Sequence, residues 1–199
     1  MNNTVTNEID RLREDIVFQA TLCGFDFEFH STWGIFSPRA IDEGTSLLLK
    51  HLQINDDDRC LDVGCGYGAL GLAMARLAPQ GRVSLIDKDF VAVDYAKKNA
   101  GINQIANVDI FLSNGFSEIP RADRFDVIVS NLPAKAGKEL FYLYFYDALL
   151  RMNPGARFYV VTVNGLRMFV KRVFNDVFGN YTKVKQGKNY TVSLARKMD

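Results

Sequence analysis

From residue 59 onward, short apolar segments alternate with segments of helical periodicity, and this alternation constrains the fold more than any other feature. Strands that are separated by single helices imply a mostly parallel sheet covered by helices on both faces. We therefore predict an α/β fold, doubly wound around a mostly parallel seven-stranded sheet with an antiparallel edge strand. Six of these strands can be placed in the sequence, namely 59–63, 83–87, 108–112, 125–130, 157–163 and 190–195, the last one antiparallel at the edge. The predicted helices are 69–77, 90–101, 137–151 and 166–178.

A short N-terminal extension precedes this sheet. Apolar residues at helical spacing among charged neighbours predict that the first twenty residues form a short helix. Strict alternation over 25–29 predicts a half-buried strand. After it, 33–38 is a loop rich in aromatic and turn residues, and Thr45 or Ser46 can open a further helix.

The bulk properties of the chain predict one structural unit in the cytoplasm. Its 199 residues suit one domain with a small extension, so we expect 1–55 to supply a helix, a strand and a covering loop and helix, and 56–199 to form the sheet domain. No run of eighteen apolar residues occurs and the N-terminus lacks the order of a secretion signal, so no membrane association is expected. The three cysteines suit a reducing cytosol and form no metal knuckle, so no metal is expected.

The charge of the chain is unevenly distributed. Residues 1–100 carry 10 basic and 15 acidic side chains, whereas 101–199 carry 14 basic and 8 acidic ones. A basic face could attract a polyanion such as RNA. The alternative is surface charge scattered in solvent, and the net charge of +1 is small for a protein that grips nucleic acid unaided.

The loop 62–68, with the sequence Asp-Val-Gly-Cys-Gly-Tyr-Gly, lies between the first strand of the sheet and its helix. Ligands bind at this end of parallel strands, and glycines let the backbone approach a ligand closely. The match of 66–71 to G-x-G-x-x-G permits a dinucleotide. However, the carboxylate of Asp62 is awkward beside a pyrophosphate and suits the ammonium of a methionine moiety, which favours S-adenosylmethionine over NAD.

The stretch 61–68 resembles the first motif of class I S-adenosylmethionine-dependent methyltransferases, which have a Rossmann-like fold. Asp87 resembles the acid with which these enzymes hold the ribose, and 114–116 stands where they form the adenine pocket. The resemblance implies a cofactor site made by Asp62, Gly64, Cys65, Gly66, Gly68, Asp87, Lys88, Asn114, Gly115, Phe116 and Asn131.

Residues 130–134, Ser-Asn-Leu-Pro-Ala, stand where amine-directed methyltransferases carry the motif N/D-P-P-F/Y. In that motif the polar side chain and a backbone carbonyl hold the target amine with its nitrogen lone pair aimed at the methyl group. Leu132 and Ala134 replace the first proline and the aromatic residue, so the sequence predicts the polar clamp but not stacking at 134. Phe36 or Tyr67 could supply an aromatic surface instead. Asn131 is thus the candidate catalytic residue, and the candidate acceptor-binding residues are Phe36, Leu132, Pro133, Lys135 and Lys138.

Four further segments resemble the "methyltransferase small" family, which includes the RsmC-type ribosomal RNA guanine-N2 methyltransferases. They are 34–37 and 42–45 (G-V-F-S and D-x-G-T in that family), 136–139 (A-G-K-E), and a C-terminal hairpin ending near 197, so the resemblance spans about 25–197. It implies methylation of an exocyclic amine, with guanine of ribosomal RNA as the leading acceptor and RNA or a ribosomal subunit as the partner. The alternatives are a small metabolite or natural product as acceptor, a non-catalytic binding module, and an NAD-dependent oxidoreductase.

Overall fold

The computed structural model describes residues 3–133 and 137–198. None of the helices in these two ranges is both long and apolar enough to cross a membrane. The helices are α1 (Asn3–Arg13), α2 (Glu43–Leu49), α3 (Ala69–Leu77), α4 (Phe90–Ile102), α5 (Lys138–Arg151) and α6 (Arg167–Phe178), with a 3₁₀ turn at Asn164–Leu166. The strands are β1 (Ile16–Leu22), β2 (Phe25–Ser31), β3 (Arg59–Val63), β4 (Arg82–Asp87), β5 (Val108–Leu112), β6 (Phe125–Asn131), β7 (Met152–Val163), β8 (Thr182–Gln186) and β9 (Tyr190–Arg196).

The main sheet has seven strands in the order β5-β4-β3-β6-β7-β9-β8. Strands β3 to β7 pair in parallel, and β9 pairs antiparallel with both β7 and β8. The predicted seven-stranded, mostly parallel sheet is confirmed, but the place of its last strand is wrong, because β9 is internal and β8 forms the edge. Strand β8 was not predicted, since its sequence Thr-Lys-Val-Lys-Gln has one apolar residue. Lysines of this kind protect an exposed edge against pairing with another chain.

The two faces of the sheet carry two separate apolar cores. Successive side chains of a strand point to opposite faces. Accordingly Cys60 and Val127 pack with α2, α3 and α4, whereas Leu61 and Ile128 pack with α5 and α6. Helices on both faces confirm the doubly wound architecture. The carboxyl ends of β3, β4 and β6 are left at one edge, between these two helical layers.

The N-terminal segment forms a hairpin. The helix predicted within residues 1–20 is real but ends at Arg13, and the prediction is wrong for the residues that follow, because β1 pairs with β2 from Ile16 opposite Ser31 to Leu22 opposite Phe25. Short apolar segments fit both a helical and an alternating period, and the long-range pairing decides between them. The predicted strand at 25–29 is confirmed as part of β2. The division of the chain at residue 55 remains a prediction.

Helix α4 closes the free edge of this hairpin with two side-chain amides. Asn99 accepts from the backbone N–H of His30 (2.8 Å) and donates to its carbonyl (2.9 Å). Asn103 makes the same pair of bonds with Glu28, at 3.0 and 2.8 Å. Four residues of a helix rise about 6 Å and two residues of a strand about 6.7 Å. The two amides therefore match alternate residues of β2 and replace a neighbouring strand.

Candidate active site

A cavity of about 650 Å³ opens at the carboxyl ends of β3, β4 and β6. Gly64, Asp87 and Asn131, which follow or end these three strands, all line it. Ligand sites of parallel sheets lie at this position, and the volume is typical of pockets for small molecules and cofactors. No group of three potential metal ligands occurs within 3–133 and 137–198.

The glycine loop forms a cradle on the cavity wall. Gly64, Gly66 and Gly68 have φ of +77°, +56° and +98°, which side-chain-bearing residues rarely adopt. A Cβ added to Gly64 or Gly66 would meet no protein atom within 4 Å, so both face open space. Gly68 does not line the cavity but is the N-cap of α3. The backbone N–H groups of Gly64 and Cys65 both donate to the carbonyl of Ile86 (2.8 and 3.0 Å), which fixes the loop to β4.

Asp87 connects the end of β4 to this loop. Its Oδ2 accepts from the N–H of Gly66 (2.9 Å), and its Oδ1 accepts from the N–H of Asp89 (3.0 Å). Two backbone donors thus hold the carboxylate in place at the cavity wall, and each oxygen keeps further capacity to accept hydrogen bonds. This arrangement suits a ligand that presents a pair of hydroxyl groups.

The charge of the cavity discriminates between the two cofactors that the sequence allowed. The charged residues that line it are Asp42, Asp87, Asp89 and Lys88, among the described residues. Three carboxylates and one ammonium disfavour the pyrophosphate of NAD and favour a ligand that carries positive charge, such as a sulfonium. The open cradle and this negative charge fit S-adenosylmethionine.

Asp62 lies beneath the loop rather than on the cavity. It is fully buried, and its Oδ2 accepts from the N–H of Gly71 (2.8 Å), so it joins β3 to α3. Its Oδ1 has no hydrogen-bond partner among the described residues. Burial raises the pKa of Asp62 to about 7, against the hydrogen bond from Gly71 and with a contribution from the charge of Asp87. Its predicted contact with an ammonium group stays a prediction.

The segment predicted to bind adenine reaches the cavity through one residue. Gly115 lines it, whereas Asn114 is exposed to solvent and does not line it, and Phe116 is buried in the core. Phe116 instead packs edge-on against Tyr144, with ring centroids 6.3 Å apart. Tyr144 and Ser113 also line the cavity, and neither was predicted as a site residue. No local pattern distinguishes Tyr144 from the other aromatic residues of α5.

Asn131 is held by a segment that lies 89 positions earlier in the chain. Its Nδ2 donates to both carboxylate oxygens of Asp42 and to Oγ1 of Thr45, each at 3.1 Å. Asp42 also caps α2, since it accepts from the N–H groups of Gly44 and Thr45. The prediction that Thr45 or Ser46 opens this helix is therefore wrong. Because carboxylate oxygens only accept, the amide nitrogen of Asn131 faces Asp42, and Oδ1 makes no hydrogen bond within the described residues.

The predicted acceptor-binding residues are only partly gathered at the cavity. Phe36 lines it with 65% of its surface exposed, and Leu132 and Pro133 line it as well. Lys138 does not, and its Nζ lies 5.9 Å from the ring centroid of Phe169. Lys135 lies outside the described residues.

Two tyrosines decide which aromatic surface is available. Tyr67 lines the cavity but is buried and packs edge-on against Phe18 and Phe29. Tyr190 of β9, which was not predicted, lines the cavity and approaches Gly44 at the start of α2. Burial raises the pKa of the Tyr190 phenol, and the charges of Asp42 and Glu43 raise it further. Its phenol therefore stays protonated at neutral pH.

Comparison with known proteins gives consistent matches. The family model of the methyltransferase small domain matches residues 26–193. The chain is 30% identical over 176 residues to the uncharacterized protein YbxB of Bacillus subtilis (strain 168), a match that covers 87% of each chain. It is 39% identical over 168 residues to ribosomal RNA small subunit methyltransferase C of Escherichia coli O7:K1, covering 81% of this chain and 47% of that protein. The chain thus spans about half the length of the relatives that bear this name.

Solved structures show the same relationship. The 16S rRNA N2 methyltransferase RsmC of T. thermophilus, solved in complex with AdoMet and guanosine, superposes with a TM-score of 0.83 and 28% identity, covering 91% of this chain and 50% of that one. A methyltransferase from Pyrococcus furiosus superposes with a TM-score of 0.65 and 23% identity, which shows the fold alone. These findings confirm the predicted Rossmann-like fold and methyltransferase class. The chain belongs to the methyltransferase small domain family of S-adenosylmethionine-dependent methyltransferases.

Proposed function

We propose that the chain transfers a methyl group from S-adenosylmethionine to an exocyclic amine of guanine in ribosomal RNA. The observation that carries this proposal is the fixed amide of Asn131 at the end of β6, on the same cavity as the glycine cradle. Relatives that are named ribosomal RNA small subunit methyltransferases, and a structural neighbour solved with guanosine, support the choice of acceptor. A reaction on ribosomal subunits would take place in the cytoplasm.

The cofactor would lie along the cradle. Gly64, Cys65 and Gly66 would contact its methionine end, Asp87 would accept hydrogen bonds from the ribose hydroxyls, and Gly115 would border the adenine. Lys88 and Asp89 also line this part of the cavity. When bound, the cofactor supplies a methyl group on a sulfonium that is already an electrophile. The protein therefore contributes mainly alignment.

Asn131 would provide that alignment for the acceptor. Its Oδ1 can accept a hydrogen bond from one N–H of the amine, which orients the nitrogen lone pair and increases its electron density. The transfer would leave S-adenosylhomocysteine and a methylated amine, which would release one proton to solvent. Phe36 and Tyr190, which line the cavity, would face the flat base.

The basic character of the C-terminal part of the chain supports an RNA substrate. Residues 137–198 contain eleven lysines and arginines and three carboxylates. Lys171 and Arg172 are exposed on α6, and neither is paired with a carboxylate within the described residues. The guanidinium of Arg172 lies 5.3 Å from the ring centroid of Phe169, which Lys138 approaches from the start of α5. Unpaired cations beside aromatic rings are typical of surfaces that bind nucleic acid.

The test of the acceptor is methyl transfer from labelled cofactor to ribosomal subunits, total RNA, guanosine and a metabolite extract. We expect label in RNA and, more weakly, in guanosine. If label appears only in the metabolite extract, the acceptor is a small molecule and the proposal of an RNA acceptor is rejected. Calorimetry with S-adenosylhomocysteine and with NAD tests the cofactor separately, and binding of NAD alone would overturn the proposal.

The role of Asn131 is tested by Asn131→Ala, with Lys97→Ala at an exposed position of α4, on the opposite helical layer from α6, as the control. We expect kcat to fall by about 100-fold because the amine loses its alignment. The dissociation constant of S-adenosylhomocysteine should change little, and the control should match the parent protein. Equal losses in kcat and in cofactor affinity would assign Asn131 to cofactor binding instead.

A further inference from the structure

We propose that Asp42 is a positioning residue for this transfer, because it decides which end of the Asn131 amide faces the acceptor amine. The inference rests on the proposed function in one respect, namely that the acceptor presents an N–H group. Asp42 lies on the N-terminal segment, outside the strand–helix alternation, and it lines the cavity together with Asn131.

The two ends of an asparagine amide have almost the same shape and opposite hydrogen-bonding character. Packing alone therefore cannot fix the orientation of Asn131, and its partners must do so. Both oxygens of Asp42 accept from Nδ2, and Oγ1 of Thr45 can do the same. In the opposite orientation Oδ1 would face the Asp42 carboxylate with no proton between them, and an NH₂ group would face the N–H of the amine.

The two oxygens of Asp42 have separable tasks. Oδ1 accepts from the backbone N–H groups of Gly44 (2.8 Å) and Thr45 (3.1 Å), which caps α2, and also from Asn131. Within the described residues Oδ2 accepts from Asn131 alone. An asparagine at position 42 would keep the capping oxygen, since asparagine is as good an N-cap as aspartate. It would place an NH₂ group where Oδ2 now faces Asn131.

The start of α2 is itself held in place from the last strands of the sheet. The side chain of Asn189 donates to Oε2 of Glu43 (2.7 Å), next to the capping residue. The ring of Tyr190 lies so close that a Cβ on Gly44 would come within 3.0 Å of it. These contacts hold the two residues that follow Asp42, as the surroundings of a group that orients a catalytic amide need to be held.

The variant Asp42→Asn tests orientation apart from folding. We expect kcat to fall by about 100-fold, while the melting temperature and the affinity for S-adenosylhomocysteine stay close to those of the parent protein. Thr45→Val, which removes the third acceptor and leaves Asp42 in place, should have a smaller effect. If Asp42→Asn lowers stability, cofactor affinity and kcat together, Asp42 acts only as the N-cap of α2 and the proposal is overturned.

The reciprocal exchange is the sharper test. Asn131→Asp alone places two carboxylates against each other and should be nearly inactive. In the double variant D42N/N131D the new amide donates to the new carboxylate, whose second oxygen again accepts from the amine. We expect the double variant to be at least tenfold more active than either single variant. A double variant no more active than the weaker single variant contradicts the proposal.

A measurement without turnover separates this proposal from the identity of the acceptor. In ¹⁵N-labelled protein with S-adenosylhomocysteine bound, the side-chain NH₂ protons of Asn131 should exchange slowly with solvent. In Asp42→Asn we expect this protection to fall at least tenfold, whereas Asn175 should be unaffected. Fast exchange of the Asn131 amide in the parent protein would overturn the orientation argument even if RNA methylation is found. If the Asn131 amide exchanges slowly but no RNA is methylated, the orienting role of Asp42 stands and the proposal of RNA as the acceptor is rejected.

Discussion

Replacing Asn99 by alanine should destabilise the protein through three hydrogen bonds at once. The fully buried amide bonds both backbone groups of His30 and also donates to the carbonyl of Tyr67 in the glycine loop (2.9 Å). It therefore connects the N-terminal hairpin to the cradle. The matched variant is Asn103→Ala, whose amide also makes three bonds, to both backbone groups of Glu28 and to the carbonyl of Asn99, but is only half-buried.

The expected magnitude follows from burial. The net contribution of one hydrogen bond to the free energy of unfolding is about 1 kcal/mol, and a buried polar group left without a partner lowers that free energy by about 1–3 kcal/mol. Because alanine has a higher helix propensity than asparagine, the substitution at position 99 also stabilises α4 by roughly 0.5 kcal/mol. We therefore expect Asn99→Ala to lower the free energy of unfolding by about 3 kcal/mol. At position 103 water can reach the freed groups, so the expected loss is about 1 kcal/mol.

Urea denaturation of the two variants measures this difference. For a protein of this size 1 kcal/mol corresponds to a shift of roughly 2–4 °C in melting temperature, so the thermal midpoints should separate clearly. Asn99→Ala should also weaken binding of S-adenosylhomocysteine, because the Tyr67 carbonyl loses its donor, whereas Asn103→Ala should not. Equal destabilisation by the two variants would refute the argument from burial.

Three further predictions concern the cavity and its surroundings. Gly115→Ala should weaken binding of S-adenosylhomocysteine in calorimetry, because the residue has φ of +59° and its Cβ would lie 2.5 Å from the ring of Tyr144. Asp62 binds its proton more tightly in the folded than in the unfolded chain, since its pKa is raised from 3.8 to about 7. Its contribution to stability should thus fall as pH rises through this window, by about 1.4 kcal/mol per unit of pKa shift. Asp62→Asn should remove this trend in urea denaturation at pH 5 and pH 8. Finally, K171Q/R172Q should lower the salt dependence of RNA binding, with the logarithmic slope smaller by about 1 for each phosphate that the protein no longer neutralises. The control Lys97→Gln, on the opposite helical layer, should leave the slope unchanged.

Much of the main sheet could be predicted because its signals are local. The cradle at 64–68 is predicted by a local pattern, namely an apolar strand followed by glycines and a helix. The alternation of strands and helices that follows predicts a parallel sheet. Strand β8 could not be predicted this way, because its lysines face solvent at an edge and leave no apolar pattern. Nor could β1, since its short apolar segment acquires a strand period only by pairing with β2.

The same distinction holds for the site. The sequence by itself determined the cofactor class, and it predicted a carboxylate at Asp87 and an amide at Asn131, because these two residues end strands within recognisable motifs. Only the tertiary structure decided that Asp62 lies beneath the cavity and that Asp42 faces the Asn131 amide, a pair of positions 89 residues apart. The physical reason is that local periodicity determines which residues end each strand. Which end of the Asn131 amide donates a hydrogen bond depends on the distant side chain beside it, and the packing of α2 against the sheet decides which side chain that is.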